Sequence, residues 1–457
     1  MITYNSNKQT KIENFKSDFE LRLQSTNRWI KLSSKLPWDD LCRPYLENLS
    51  KYKGAPGIDA RIVVGALYIK HKMKLSDREV IQTIQENPYM QFFLGKNEYD
   101  PIPVFCPSLF PEIRKRMGLK EFDKMNCLII ELAKEKTEKK SKGIKNPEGE
   151  ITHKGHLKVD ATVSDQYIKY PTDLDLLNQC REWTERIIDE IFPQSYLALK
   201  PRTYRRVARQ EYLNVAKKKN KTTKEIRKAI KTQLGYVKRN LGYIDELLDM
   251  FEEGSFPLCK NSHWYLLVLS EVYRQQQYMY KEKTNQIEDR IVSLHQPYVR
   301  PIVRGKAKAK VEFGSKLSMS LDNGFTRIDR LSWDAFNECK DLQKQIEAYK
   351  SIHGYYPELL QGDKIYFTRE NRRWLDEKGI RYTASKLGRP SEEKESYYQK
   401  HKKKKEAAKR NQIEGKFGQG KNGYELNRIR AKLSRTSESM IGCIAFVMNV
   451  LNLMNMT

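Results

Sequence analysis

The spacing of apolar residues changes along the chain, and each change predicts a different kind of element. Up to about residue 135 apolar positions recur at helical spacing. Two amphipathic segments follow one another in DARIVVGALYIKHKMKLSDREVIQTIQENPYMQFFLG, the first spanning Ile62 to Lys72. Ser76 followed by Glu79 reads as a capping box, so a helix starts there, with Val80, Ile81 and Ile84 on its apolar face and Pro88 as its stop. Helix, short turn and helix suit a DNA-reading helix-turn-helix and a plain helical hairpin alike. KTEKKSKGIKNPEGE, the polar and basic stretch over 135–150, reads as a linker or exposed loop.

The period then shortens to two. In HLKVDATVSDQYI, Leu157, Val159, Ala161 and Val163 alternate with polar residues, which predicts a strand. A helix follows, with Thr172 or Asp173 as N-cap, and only helical signals appear over 178–290. Strand character returns at 311–333 as two alternating runs joined by Asp322-Asn323-Gly324, a hairpin signal because Asn-Gly supplies positive φ angles. Next comes a helix with Phe336, Cys339, Leu342, Ile346 and Tyr349 on one face and Gly354 near its end. PELLQGDKIY reads as a buried strand ending at Asp363, RENRRWLDEK as a helix capped by Thr368 and stopped by Gly379, and IRYTAS as a short strand. SEEKESYYQKHKKKKEAAKRNQ reads as an exposed helix or mobile segment, with Lys402 to Lys405 near nucleic acid or simply solvated. The region from Arg410 to Met454 reads as helices. Its last apolar run, Ile441 to Met454, is short for a bilayer span and carries Asn449 and Asn452, which predicts a buried C-terminal helix.

Without the block at 178–290 the order is strand, hairpin, helix, strand, helix, strand, helix, which fits a mixed sheet flanked by helices. The expected division is a helical N-terminal domain over 1–135, a linker and first strand over 136–177, a basic helical insertion over 178–290, and the rest of an α/β core with C-terminal helices over 291–457.

Charge adds a partner. The 457 residues carry 85 basic and 58 acidic side chains, a net charge of +27, and a chain this basic most often meets nucleic acid. The charge peaks over 201–240, interleaved with Tyr204, Tyr212 and Tyr236. A solvated helical hairpin would show the same run, but the overall charge favours an arm lying on phosphates. The seven cysteines are scattered without a CxxC pair, which argues against a disulfide framework and a structural zinc site. MITYNSNKQTKIENF has no apolar signal core, so the expected compartment is a reducing cytoplasm.

Cutting and joining phosphodiesters with two metal ions needs a few carboxylates on rigid supports, because Mg²⁺ takes oxygen ligands and keeps several waters. Asp160 sits inside an apolar-alternating strand, where a carboxylate is unexpected unless it binds something. Asp363 sits at the end of a hydrophobic strand. Glu414 lies in KRNQIEGKFGQGK, where a helix would place Arg410, Phe417 and Lys421 on its face. Glycines 415, 418, 420 and 423 weaken that helix, or else permit close backbone approach to DNA. Arg410, Lys416 and Lys421 are the candidate phosphate contacts. Asp322 is a reserve for the second acid, although a hairpin turn explains it better.

The sequence resembles the DDE transposases of bacterial insertion sequences over most of its length. HLKVDATV resembles the first-aspartate strand of that family, GDKIYFTRENRRWLDEKGIR the second-aspartate strand and following helix, and RNQIEGKFGQGKNGYELNRIRAKL the glutamate helix. The family signature places Arg four residues before Glu and Lys seven after, which Arg410, Glu414 and Lys421 match. A Tyr present in some branches is replaced by Ala407. The run from DARIVVGALYIKHKMKLSD to NPYMQFFLG, with PSLFPEIRKR after it, resembles the helical N-terminal domain of one branch, and HQPYVRPIVRGK with VEFGSK continues the match. The resemblance implies an RNase H-like core with a helical insertion after the first strand, a catalytic and metal-binding triad of Asp160, Asp363 and Glu414, and two Mg²⁺ ions (Mn²⁺ as an alternative). It implies DNA partners, both terminal inverted repeats and target, and at least a homodimer on them. The rivals are an RNase H-like nuclease that cuts without joining, and a non-enzymatic DNA-binding repressor or domesticated remnant.

Overall fold

The Asn-Gly signal is met by two residues in left-handed backbone: Asn323 has φ 47° and Gly324 φ 85°. They join a pair of antiparallel strands in a computed structural model that describes residues 2, 4, 6, 18–50, 52, 54, 57–137, 144–145, 149–251, 256–303, 311–384 and 396–456. Most of the expected linker at 135–150, the end of HQPYVRPIVRGK and the start of SEEKESYYQ lie outside the described residues.

In chain order the N-terminal segment forms α1 (Asp18–Arg22), α2 (Arg28–Lys35), α3 (Trp38–Leu46), α4 (Ala60–Met73), α5 (Asp77–Glu86), α6 (Pro88–Phe93), α7 (Leu109–Arg116) and α8 (Leu119–Thr137). The capping box at Ser76 and Glu79 is formed, and Val80, Ile81 and Ile84 are buried. Pro88 ends α5 and also starts α6, where its missing N–H costs nothing. Strands β1 (Ile144–Lys145) and β2 (Ile151–His153) pair with each other, and β3 (His156–Asp165) follows. The helical block gives α9 (Asp173–Ile191), capped by Thr172, then α10 (Arg205–Ala216), α11 (Thr223–Leu248) and α12 (Lys260–Glu282). After these come β4 (Arg300–Val303), β5 (Val311–Asp322), β6 (Phe325–Ser332), α13 (Leu342–His353), β7 (Leu359–Gln361), α14 (Arg369–Glu377), β8 (Arg381–Tyr382), α15 (Tyr397–Gly418) and α16 (Ser434–Asn455).

Contacts divide the chain into two units, residues 1–165 with 316–457, and residues 166–315. The helical stretch that interrupts the core is thus longer than its helical periodicity suggests, because β4 and the start of β5 belong with it.

In the first unit the strand order is β6-β5-β3-β7-β8. The hairpin side is antiparallel and the β3-β7-β8 side parallel, so the unit is a mixed α/β fold. Leu157 and Val159 of β3 pack with Leu342, Ile346, Leu360 and Tyr366. Leu317, Met319 and Leu321 of β5 join a second core built by α16 and the N-terminal helices. Phe336 and Cys339 precede α13, in and before a 3-10 turn over Glu338–Asp341, so they do not extend its apolar face as the spacing predicted. Gly354 ends α13 at φ 82°.

The apolar C-terminal run is a core helix, buried along most of its length. Its Asn449 is fully buried yet satisfied: the side chain accepts from Thr326 N (2.8 Å) and donates to Thr326 O (2.7 Å) and Asn126 Oδ1 (2.8 Å). One amide thereby ties α16 to β6 and α8. The seven cysteines are free.

In the second unit α9, α11 and α12 share a core that includes Leu177, Ile188, Val237 and Leu269. Asn240 Nδ2 donates to Thr184 Oγ1 within it (3.0 Å). The tyrosines of the basic run are partly committed to internal bonds: Tyr212 donates to Asp175 (2.7 Å) and Tyr236 to Glu211 (2.8 Å), while Tyr204 lies under Arg202 and Arg239.

Asn449→Ala removes the bonds that satisfy the Thr326 backbone and leaves those groups buried. Urea denaturation should show a loss of roughly 1–3 kcal/mol with an unchanged m-value; a loss within error of zero would mean that the amide does not join α16 to β6.

Candidate active site

The parallel pairing of β3 with β7 sets the site. His156, Leu157 and Lys158 stand opposite Leu359, Leu360 and Gln361. Asp160 lies two residues beyond Lys158 within β3, whereas β7 ends at Gln361, short of the strand end expected at Asp363; Asp363 stands two residues past it at the head of a turn, near enough for its charge to act on Asp160. Gly362 makes the approach possible, since a Cβ there would lie 3.0 Å from Val159 Cγ2. Past Gly362 the chain turns into a short 3-10 turn (Lys364–Tyr366), and Asp363 caps it by accepting from Lys364 N at 2.9 Å.

Asp160 is half-buried within β3. Its Oδ1 accepts from Ala161 N at 2.8 Å, and no cation stands within ion-pair distance among the described residues. Burial pushes its carboxyl up to about 6, against the lowering effect of the Ala161 N–H; Glu338 and Asp363 push it further up, and Arg410 pulls it down. Asp160 therefore shares an electrostatic neighbourhood with Asp363 and with Arg410.

Helix α15 packs over β3 and β7. Ile413 and Phe417 bury its apolar edge, while Arg410 and Glu414 stand beside them. Arg410 reaches Glu414 Oε1 at 3.2 Å and Asp363 Oδ1 at 3.9 Å, so the two carboxylates lie within about 10 Å of each other across one guanidinium. Gln361 Nε2 donates to the Glu406 carbonyl and ties β7 to the same helix. Asp363 and Glu414 keep 61% and 54% of their side chains exposed, which leaves them open to a ligand from solvent.

The lysines fall differently. The α-helix ends at Gly418, and Gln419–Gly423 winds as a π-helical turn. This breaks the helical face expected to carry Lys421. Lys421 instead comes within 4.0 Å of Asp165 at the end of β3. Lys416 is half-buried, and burial lowers its pKa. Of the glycines, Gly420 serves an internal contact: a Cβ there would stand 3.1 Å from Leu426 and 3.3 Å from Met448. Asp322 is no exposed turn residue, since it is buried and paired with His353 at 3.2 Å.

The sequence reading missed Glu338. It lies in the 3-10 turn before α13, paired with Lys316 at 2.8 Å, and its charge acts on Asp160 and on buried Tyr366. Asn371 Nδ2 stitches this turn to that of Asp363 by donating to Cys339 O (2.8 Å) and Tyr366 O (2.7 Å). Only a polar turn after the hairpin marked the place in the sequence.

Among the described residues no group of three or more His, Cys, Asp or Glu side chains is already closed around one metal position. The donors nevertheless suit a hard divalent cation. They are carboxylate oxygens, Asp160 is ionised only against a burial penalty with no cation paired to it, and a guanidinium already bridges the other two acids.

Comparison with known proteins agrees on two stretches. Residues 360–452 match the family described as "Transposase DDE domain", and residues 17–116 match "Transposase domain (DUF772)". A protein of Rhizobium meliloti, "Uncharacterized protein ORF8 in nfe locus", is 29% identical over 144 residues, 32% of this chain and 64% of the relative. The chain thus spans less than two thirds of that relative's length. No solved structure matches. The first match contains Asp363, Arg410, Glu414, Lys416 and Lys421; Asp160 lies outside both matches.

A carboxyl whose folded pKa is raised binds protons more readily in the folded state, so its ionisation opposes folding. The penalty begins as pH rises past the ordinary Asp value near 3.8 and is complete above about 6. Without divalent metal, Asp160→Asn should raise Tm at pH 7–8, and the gain should vanish below about pH 4. Thermal melts across that range check it; a gain constant with pH would point to packing instead of charge.

Proposed function

We propose that this chain, whose two family matches are those of a DDE transposase of an insertion sequence, cleaves the ends of its element and joins the freed strand to target DNA. The observation that supports the reading is that Arg410 joins Asp363 to Glu414 while the charge of Asp363 also acts on half-buried Asp160. The mixed sheet, with an antiparallel hairpin on one side of β3 and parallel strands on the other, supports an RNase H-like core.

Transposases of this family depend generally on divalent metal ions. Asp160, Asp363 and Glu414 would hold Mg²⁺, or Mn²⁺, as one or two ions. Such an ion supplies Lewis acidity at the phosphate and lowers the pKa of the attacking hydroxyl or water. The residues themselves do the rest. Asp160 contributes a carboxylate fixed by its strand. Asp363 and Glu414, more exposed and bridged by Arg410, would complete the ligand set. Arg410 would meet the scissile phosphate, and Lys416 lies two residues from Glu414 on the same helix. Lys421, near Asp165, would grip the strand to one side.

In the reaction, water breaks one P–O bond and frees a 3′-hydroxyl at the element end. That hydroxyl then attacks a target phosphodiester and displaces the target's own 3′-oxygen, so no covalent protein–DNA intermediate is required. The basic run over 201–240, with 14 Lys and Arg against 2 Glu, would lie along DNA phosphates. Pairing two ends calls for a dimer on DNA, acting at the bacterial nucleoid.

The test uses duplexes carrying the element end, with Mg²⁺ present, and a parallel assay with pre-cleaved ends. Asp160→Asn, Asp363→Asn and Glu414→Gln should each lower cleavage and joining by on the order of 10²–10³-fold or more, with duplex affinity retained. Cutting without joining by the wild type would favour a nuclease. Unchanged DNA transactions in Asp160→Asn would leave a DNA-binding protein as the surviving reading.

A further inference from the structure

A cavity of about 220 Å³ opens beside the turn between α4 and α5, against the segment that follows the glutamate helix. Three features of its lining bear on a ligand.

The first is charge. Asp77 holds Arg114 through both oxygens (2.9 and 2.8 Å) and Lys70 at 3.1 Å, so one carboxylate faces two cations. Nearer solvent, Arg430 pairs with Glu425 at 3.0 Å and Lys74 donates to the Asn422 carbonyl at 2.8 Å. Four cations thus line the cavity against two carboxylates.

The second is an unanswered polar group. His71 lines the cavity, is 6% exposed, and its Nε2 has no hydrogen-bond partner. A buried ring nitrogen left so is costly unless something else satisfies it. Burial, with Lys70 and Arg114 beside it, holds its pKa down to about 3, so the ring is neutral and can offer one N–H.

The third is access. Arg430 keeps 49% of its side chain exposed and Lys74 is exposed, so both can turn to a ligand without unfolding anything.

We propose that this cavity binds a phosphate group, with Arg430 and Lys74 at its mouth and His71 Nε2–H donating from within. Two sources share that chemistry, a phosphate of a DNA strand and free inorganic phosphate. The net positive lining beside the segment leaving α15 favours the DNA strand. The inference adds to the proposed function a place where the strand is gripped. It does not depend on whether a bond is cut, so its failure and a failure of catalysis are separable.

The experiment uses the full chain without metal. Lys74→Asn with Arg430→Ala is the cavity variant; Asn suits the left-handed backbone of Lys74, at φ 57°. Lys281→Ala on α12 with Lys344→Ala on α13, both exposed and outside the basic run over 201–240, is the charge-matched control. Inorganic phosphate should raise Tm of the wild type and control by several degrees and that of the cavity variant by much less. Duplex binding should weaken in the cavity variant, with the slope of log K against log salt shallower by about 0.9 relative to the control. A phosphate response lost without a change in that slope supports the site and assigns it to free phosphate. Equal phosphate responses in wild type and cavity variant, or none in either, overturn the proposal. His71→Gln, which keeps a donor, should retain more of the response than His71→Leu; equal loss in both, despite native melting, would remove His71 from the site.

Discussion

The parallel ladder between β3 and β7 is the constraint on which the candidate site depends. It aligns Lys158 with Gln361, and two residues further on Asp160 comes near Asp363 although 203 residues separate them in sequence. Backbone bonds fix that alignment, and a slip of one residue would turn Asp160 to the opposite face of its strand. Gly362 is the local condition: with Val159 only 3.0 Å from where a Cβ would stand, a larger residue would push β7 away where the acids meet. The remaining contacts brace this edge. Gln361 binds the Glu406 carbonyl, and Asn371 joins the turns carrying Glu338 and Asp363.

Placing a carboxylate in such a strand works against folding. Asp160 is half-buried with no cation paired to it among the described residues, and its elevated pKa records that cost. Asp363 and Glu414 are treated differently, being exposed and shared by one arginine. One acid is held within a strand and two stand exposed, and Arg410 lowers the repulsion between the exposed pair.

How much of this could be read from the sequence depends on the range of the interaction. The capping box at Ser76, the Thr368 cap, the Asn323-Gly324 turn and the alternation of Leu157 to Val163 are local, and the structure forms them as the pattern predicts. The polar positions of β3 were read less well. Lys158, Thr162 and Ser164 are also buried, because a central strand is covered on both faces. Lys421 was misplaced because the helical period was carried past Gly418, where the backbone widens into a π-helical turn that the sequence marks only with glycines. Glu338 was missed because its neighbours come from β3 and from the turn after β7. Asp322 flanks the hairpin turn as read, opposite Phe325, but its burial against His353 at the end of α13 is a long-range pairing the sequence does not mark.

The C-terminal helix shows why an apolar run alone does not identify its surroundings. Ser434–Asn455 is long and apolar enough to cross a bilayer, yet it is buried within the protein. Asn449 distinguishes the two settings. Its amide has two faces to satisfy, and β6 and α8 supply the Thr326 backbone and the Asn126 carbonyl where lipid would supply nothing. Met448 of that same helix, with Leu426, closes against the turn that leaves α15, through the close approach at Gly420. Gly420 therefore acts first on packing: it lets the chain wind out of the glutamate helix and onto α16, and so fixes the end of the helix whose Arg410 reaches Asp363.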